Sequence, residues 1–141
     1  MSEVLDVVIV GGGLTALLLA QGGVQPTVLD AAPVLDVEKT LSVMNPRVLA
    51  LSQATIHLLK TVNVWDDLAR QMPYTGMQVW NLNGYGEINF GHESVQRPMP
   101  EQALGSMVEP SVLNVAIQQK MLEQLTDYRT QVRVTRIEQG V

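Results

Sequence analysis

The sequence predicts an α/β fold that opens with a parallel strand–helix–strand unit. Residues 7–10 form an unbroken run of β-branched side chains, which is typical of a parallel strand covered on both faces. Three glycines follow, then an apolar segment over Leu14–Gln21 that stops at two further glycines. A second short β-branched segment, Thr27–Leu29, comes next. Strand, tight turn, helix and strand within 30 residues indicate two parallel strands joined by a crossover helix.

Composition places the chain among globular domains and excludes several function classes. Of its 141 residues, 46% are hydrophobic and 16% are charged, which suits one domain or part of one. The net charge is −5 and the nine basic residues are not clustered, so we expect no nucleic-acid partner. The absence of cysteine excludes disulfides, thiolate metal sites and cysteine nucleophiles. It also fits a cytoplasmic location, with peripheral contact with an inner membrane left open.

The remainder of the chain is predicted to contain helices separated by loops. Residues 31–46 show no clear period and are expected to form a loop. Ser52 can cap a helix whose apolar side chains recur on one face, and Asn63 is expected just past its end. Further helices are expected at Trp65–Met72, for a turn or two, and from Pro110 to about Leu125.

Two more strand features are predicted downstream of the first helices. Alternating segments at 77–80 and 87–90 flank Asn83-Gly84, a dipeptide that favours tight hairpin turns. Residues 98–105 are expected to form a loop, and Val132–Ile137 a final strand that joins the parallel sheet. Such a small parallel sheet would keep at least one bare edge, which invites self-association.

The turn after the first strand matches a phosphate-binding pattern. Residues 11–16 fit G-x-G-x-x-G/A: Gly11 permits the sharp turn, Gly13 lets the backbone approach a diphosphate, and Ala16 lets helix and strand pack closely. The helix amino end, at Leu14 and Thr15, offers free N–H groups and the positive end of the helix dipole. Together with Gly12, these residues predict a Rossmann-like dinucleotide site.

Asp30 stands at the end of the second predicted strand. Its carboxylate is placed to accept hydrogen bonds from a ribose, and it would repel the 2′-phosphate of NADP. Gly11 and Asp30 are only 19 positions apart, so the helix between them is short, about 12 Å long. We expect Gly22 and Gly23 to absorb the shortening.

Five segments together resemble the beginning of an FAD-dependent aromatic hydroxylase. The resemblance is to the ubiquinone-biosynthesis hydroxylase family, which hydroxylates polyprenylated phenols and quinols. The order and spacing of the segments match that family across essentially the whole chain. The segments are Asp6–Ala16, Arg47–Ser52, Leu58–Trp65, Gly76–Trp80 and Leu104–Glu109.

This resemblance implies FAD as the cofactor, NAD(P)H as the electron donor and O₂ as co-substrate. It also implies an aromatic or polyprenylated small-molecule substrate, and it places Arg47 near the flavin. A guanidinium there can pair with phosphate or with negative charge on the reduced flavin. Peripheral membrane or multi-enzyme association stays open under this interpretation.

The resemblance also divides the chain into parts of two domains. Residues 1–72 are expected to begin the FAD-binding domain, 73–105 to supply a hairpin of a substrate domain, and 106–141 to return to the first domain. The later parts that such hydroxylases require are not in this sequence. We therefore expect an incomplete domain that does not turn over alone, and we assign no catalytic residue and no metal ligand.

Two other functions remain open from the sequence. Asp30 is also compatible with an NAD-dependent dehydrogenase, although the match from Arg47 to Glu109 would then be a coincidence. The chain could instead be a truncated, non-catalytic relative that binds no cofactor and associates with a partner. Binding of FAD separates these alternatives.

Overall fold

A computed structural model describes residues 5–91 and 103–139 of the chain. Its helices are α1 (Leu14–Gln21), α2 (Val37–Ser42), α3 (Gln53–Thr61) and α4 (Pro110–Gln124), with a 3₁₀ turn at Trp65–Asp67. Its strands are β1 (Val8–Val10), β2 (Thr27–Leu29), β3 (Leu49–Ser52), β4 (Met72–Tyr74), β5 (Gly76–Trp80), β6 (Glu87–Gly91), β7 (Gly105–Val108) and β8 (Asp127–Arg129). Within this part of the chain, no helix is long and apolar enough to cross a membrane.

A three-stranded parallel sheet confirms the predicted α/β fold class. Its order is β1–β2–β8, and both pairings are parallel, with Val28 opposite Ile9 on one side and Tyr128 on the other. Helix α1 makes the crossover from β1 to β2, as the hydrophobic pattern predicts. Within the described residues, β1 and β8 form the two edges of this sheet.

The prediction of a last strand at Val132–Ile137 is wrong. The strand that joins the parallel sheet is β8, which begins five residues earlier, and residues 132–139 have no regular structure. The Thr27 hydroxyl donates to the Asp127 carboxylate over 2.8 Å, which fixes the register of β8 on β2. Gln131 then takes a positive φ of 59° and turns the chain away. The alternating pattern after it therefore meets no partner strand in the described residues.

A second, antiparallel sheet has the order β3–β7–β4, and none of its three strands is predicted from the sequence. Residues 47–51 were expected to lead directly into a helix, and they contain most of β3 instead. The helical turn expected over Trp65–Met72 is present only at Trp65–Asp67, and Met72 begins β4. The loop expected at 98–105, of which 98–102 lie outside the described residues, overlaps β7 only at Gly105. Each strand is short, and β7 holds the sheet together by pairing with both neighbours. A Cβ atom on Gly105 would overlap the Leu51 carbonyl oxygen, a constraint that only the paired strands reveal.

The hairpin predicted around Asn83-Gly84 is confirmed. β5 and β6 pair antiparallel, with Val79 opposite Ile88, and the Asn81 side chain accepts a 3.1 Å hydrogen bond from the Asn83 N–H inside the turn. One face of the hairpin carries four apolar side chains, each more than a third exposed. They are Met77, Val79, Ile88 and Phe90.

One hydrophobic cluster joins the parallel sheet to the antiparallel sheet. Ala16 and Leu17 of α1 and Val28 of β2 are fully buried, and they share this core with Ala116 and Met121 of α4. On the other side the same cluster includes apolar residues of β3, α3, the 3₁₀ turn and β7. They are Leu51, Ile56, Leu59, Val62, Val64, Trp65 and Val108.

Local capping signals locate the ends of α3 well. The Ser52 hydroxyl accepts a 3.3 Å hydrogen bond from the Thr55 N–H, so Ser52 caps the helix as predicted. Asn63 has a φ of 57°, and its N–H bonds the Lys60 carbonyl while the Val64 N–H bonds the Leu59 carbonyl. This Schellman arrangement confirms Asn63 as the residue that ends the helix. By contrast, the predicted loop at 31–46 contains α2, capped by the Asp36 carboxylate.

The same C-terminal arrangement ends the short helix α1. Gly23 has a φ of 84°, its N–H bonds the Ala20 carbonyl over 3.0 Å, and the Val24 N–H bonds the Leu19 carbonyl over 3.0 Å. Gly22, one position earlier, has a φ of −76°. The two glycines therefore redirect the chain toward β2 directly after eight helical residues, as expected from the shortened spacing.

We predict that Gly23→Ala lowers the free energy of unfolding by about 1–2 kcal/mol, because an L-residue is strained at a left-handed φ. Gly22→Ala is the matched control. Its φ is ordinary and its Cβ would make normal contacts, the nearest at 3.4 Å from the Leu19 carbonyl oxygen. Urea unfolding of both variants and the parent measures the difference. Equal losses at the two positions would contradict this account of the helix end.

Candidate functional site

The glycine turn begins where β1 ends and lies against β2. Gly11 has a φ of 97°, a conformation that favours glycine, and its N–H donates to the Leu29 carbonyl over 2.8 Å. The turn then leads directly into α1, whose N-cap is Gly13. The three glycines therefore link a strand of the parallel sheet to the leading end of a helix, as the sequence predicts.

Gly12 is the position of the turn with the least space. Its N–H donates a 3.1 Å hydrogen bond to Oδ2 of Asp30. A Cβ at Gly12 would overlap that oxygen and would lie 3.1 Å from the Met121 methyl and 3.3 Å from the Tyr128 hydroxyl. The G-x-G-x-x-G/A pattern leaves this middle position variable. The local sequence does not show that the Asp30 carboxylate, at the end of β2, crowds it.

Gly13, by contrast, faces open space. A Cβ there would meet nothing within 4 Å, and the φ of 173° is an extended conformation that any residue adopts. No side chain caps the amino end of α1, and its first turn holds no acidic residue. The backbone N–H groups that begin this helix are thus unshielded, which suits the approach of an anion. Ala16 lies beneath them, fully buried against the sheet.

Three hydrogen bonds hold the Asp30 carboxylate. Besides Gly12, the Tyr128 hydroxyl donates to Oδ2 over 3.3 Å, and the Ala32 N–H donates to Oδ1 over 2.9 Å. A carboxylate has about four acceptor sites, so Oδ1 retains capacity for a further donor. Asp30 is therefore fixed in orientation and still able to accept a hydroxyl.

Tyr128 and Gln118 complete the site, and sequence reasoning missed both. The Gln118 side-chain amide donates to the Tyr128 hydroxyl over 3.3 Å, and its carbonyl oxygen accepts from the Leu35 N–H over 2.6 Å. The pKa of the Tyr128 hydroxyl is raised, mainly by burial, so the hydroxyl stays protonated and can act as a donor. The one sequence signal was a glutamine among the apolar positions of α4, and Gln118 is only 8% exposed.

A cavity of about 190 Å³ opens beside the glycine turn. Gly12, Gly13 and Asp30 form one wall, and Ile117, Gln118 and Met121 of α4 form another. Complete small-molecule sites usually measure about 300–1,000 Å³. This cavity is therefore of a size for one part of a dinucleotide.

Arg47 lies elsewhere, in the segment that leads into β3. Its N–H donates to the Asn45 side-chain oxygen over 2.9 Å, and the residue is exposed. It does not line the cavity at the glycine turn. The structure therefore brings Gly12, Gly13 and Asp30 together and leaves Arg47 beside the antiparallel sheet.

A second cavity adjoins the Arg47 segment. It measures about 310 Å³, and its apolar walls are formed by Met44, Val48, Met72 and Met107. Arg70 and Glu109 also line it. The second cavity is thus an apolar space with one ion pair at its border.

Arg70 and Glu109 form a bidentate ion pair that sequence reasoning missed. Arg70 Nε lies 2.7 Å from Glu109 Oε1, and one terminal nitrogen lies 3.1 Å from Oε2. Only 8% of the Glu109 side chain is exposed. The hydrogen bonds from Arg70, and next that from the Asn45 N–H, hold the pKa of the Glu109 carboxyl below its usual range.

Helix α4 borders both cavities. Glu109 at its N-cap lines the second cavity, and Gln118 lines the first, nine residues further along. At about 1.5 Å per residue, the two side chains are separated by about 13 Å along the helix axis.

Comparison with known proteins identifies the family. The family described as "FAD binding domain" matches residues 4–141. The chain belongs to this family. Its glycine turn, Asp30 and cavity are therefore features of an FAD-binding domain.

Curated relatives of this FAD-binding domain are named as ubiquinone-biosynthesis enzymes. Ubiquinone biosynthesis monooxygenase COQ6, mitochondrial, is 24% identical over 133 residues in Dictyostelium discoideum and 30% identical over 146 in Danio rerio. These alignments cover 84% and 93% of this chain. The 3-demethoxyubiquinol 3-hydroxylase of Escherichia coli (strain K12) is 34% identical over 123 residues, or 82% of this chain. The resemblance stated from the sequence is thereby confirmed.

The chain spans less than a third of the length of these relatives, with 27%, 29% and 30% of them covered. Among solved structures, a chain of RebC-10x, described as native and K252c-bound, matches with a TM-score of 0.57 at 20% identity. That match covers 97% of this chain and 27% of the other, and it supports the fold.

We predict that alanine lowers the stability at only one of two adjacent glycines. Gly12→Ala should lower the free energy of unfolding by about 1–2 kcal/mol, because the new methyl displaces the Asp30 carboxylate from the Gly12 N–H. Gly13→Ala should stay within about 0.5 kcal/mol of the parent, because its methyl meets open space. Chemical denaturation of the cofactor-free proteins measures both. A loss at Gly13 as large as that at Gly12 would refute the placement of Asp30.

A second prediction concerns acid. The folded-state pKa of Glu109 is lowered, so as the pH falls the unfolded chain takes up a proton at this carboxyl before the folded chain does. The free energy of unfolding therefore rises with pH between the folded-state and the unfolded-state pKa. The contribution is fully present above about pH 4.3 and is lost as the pH falls through the folded-state value. Glu109→Gln should therefore flatten the fall of the melting temperature between neutral pH and about pH 3. Parallel curves of melting temperature against pH for the parent and the variant would contradict this prediction. The remaining acid dependence, for example from Asp127, is the same in both proteins.

Proposed function

We propose that this chain binds the ADP half of FAD at the turn formed by residues 11–16, with Asp30 on the ribose. The observation that supports this most directly is the contact between Gly12 and Asp30 beside an uncapped helix end. It puts backbone donors and a carboxylate acceptor at the carboxyl edge of a parallel sheet, where such folds bind nucleotides.

Each part of the ligand has a matching feature. The diphosphate would lie over Gly13 at the N–H groups of Leu14 and Thr15, where no acidic side chain competes. The ribose hydroxyls would donate to Asp30 Oδ1, which carries one protein hydrogen bond. Adenine would enter the first cavity, between the glycine turn and α4. The residues present therefore fit the ADP portion.

The flavin end would extend toward Arg47 and the second cavity. Asn45 and Val48, which flank Arg47 in sequence, line that cavity, and its methionine walls suit an apolar ring. The Arg47 guanidinium would then pair with the phosphate or the reduced flavin. When bound, FAD supplies the redox chemistry of hydroxylation, whereas the residues of this chain bind and orient it.

For the whole protein we propose hydroxylation of an aromatic ring in ubiquinone biosynthesis, with NAD(P)H as electron donor. The names of the relatives support this assignment. We further propose that the whole protein acts on an aromatic or polyprenylated substrate, that it is cytoplasmic, and that it associates with a membrane or a multi-enzyme complex. The assignment of residues 73–105 to a substrate domain is part of this proposal. We assign no proton-transfer step to this chain, and we expect it not to turn over by itself.

Titration of FAD into the purified chain tests the proposal. Saturable quenching of flavin fluorescence is expected, and ADP should compete. Asp30→Asn should weaken binding about tenfold, because a hydrogen bond to a charged acceptor is replaced by a weaker neutral one. Asp66→Asn, at an exposed acid of the 3₁₀ turn, is the control and should not change the affinity.

Two results would contradict the proposal. Preference for NAD over FAD would favour a dehydrogenase fragment, to which Asp30 is equally suited. Absence of any saturable nucleotide binding by the folded chain would favour a non-catalytic relative.

A further inference from the structure

Arg70 connects the end of α2 to the beginning of α4. Besides its two bonds to Glu109, its guanidinium donates to the Leu41 carbonyl over 2.8 Å and to the Val43 carbonyl over 3.4 Å. The neighbouring residues Ala69 and Gln71 are exposed, whereas the Arg70 side chain is 32% exposed. Arg70 thus donates to one carboxylate and to two carbonyls at the end of α2.

Glu109 continues this network to Arg47. Its Oε2 accepts a 2.7 Å hydrogen bond from the Asn45 N–H, and the Asn45 side-chain oxygen accepts the Arg47 N–H over 2.9 Å. An unbroken series of hydrogen bonds therefore runs from Arg70 through Glu109 and Asn45 to the Arg47 backbone. It attaches residues 41–47 at three points: Arg70 holds the Leu41 and Val43 carbonyls, and Glu109 holds the Asn45 N–H.

We propose that Arg70 and Glu109 are positioning residues, which hold residues 41–47 in the conformation that receives the flavin end of the cofactor. The inference rests on the proposed FAD function and deepens it. We call this ion pair, together with its bonds to Leu41, Val43 and Asn45, the clamp. The clamp borders the second cavity and not the first, so its influence falls on the flavin end alone.

The geometry requires arginine. A planar guanidinium can engage both carboxylate oxygens and still present N–H groups to two carbonyls, whereas a lysine ammonium is a single point of charge. Loss of either partner leaves the charge of the other uncompensated, and the Glu109 carboxylate is largely buried. Replacement of both partners by neutral side chains removes the clamp without that penalty.

The experiment compares the affinities of the full chain for FAD and for ADP. The variants are Arg70→Met, Glu109→Gln and the double substitution, and Arg70→Lys tests the need for the fork. Lys120→Met is the matched control, because Lys120 forms an ion pair between the same helix and Asp67 at 2.7 Å, away from both cavities. The double variant keeps the test valid if a single substitution prevents folding.

We expect the clamp variants to bind FAD at least tenfold more weakly and ADP within twofold of the parent. Arg70→Lys should behave as the other clamp variants do, and Lys120→Met should change neither affinity. Equal weakening of FAD and ADP would overturn the proposal, because it would show a general structural role. Unchanged FAD binding in the double variant would also overturn it. If the parent binds ADP but gains nothing from the flavin, or binds neither ligand, the proposed function itself fails and the clamp with it.

Discussion

The hydrogen bond between the Gly12 N–H and the Asp30 carboxylate is the contact around which the site is built. It joins the ends of two parallel strands, and the Tyr128 hydroxyl from the third strand reaches the same oxygen. Because the three strands run in the same direction, these groups meet at one edge of the sheet. The close approach leaves no room for a side chain at position 12, and it holds Asp30 beside an uncapped helix end.

Helix α4 extends this local arrangement to the rest of the molecule. Ala116 and Met121 pack into the core that includes α1 and β2, while residues before the helix belong to β7 in the other sheet. Gln118 steadies Tyr128 at one cavity, and Glu109 steadies the Arg47 segment at the other. One helix thus sets the spacing between the two cavities. Under the proposed function, the clamp would order the flavin side as the Gly12 contact orders Asp30.

Prediction from sequence succeeded where a local signal was sufficient. Ser52 caps its helix, Asn63 takes the left-handed conformation, and the Asn83-Gly84 turn forms its hairpin, because each depends on neighbours within a few residues. It failed for β8 and for the antiparallel sheet. The strand β8 has only three residues and is selected by its register on β2, while the alternating residues 132–137 pair with no strand in the part of the chain that the structure describes.

The sequence by itself determined the strand–glycine–helix–strand unit, the likeness to FAD-dependent hydroxylases and the positions of Gly11, Gly13 and Asp30 as candidates. These follow from short-range spacing, hydrophobic period and motif order. Only the tertiary structure decided that Gly12 is the crowded glycine, that Tyr128 and Gln118 orient Asp30, and that Arg70 pairs with Glu109. Each of those facts joins residues separated by 10 to 98 positions. Contacts of that kind are fixed by packing of the whole core, and no local pattern encodes them.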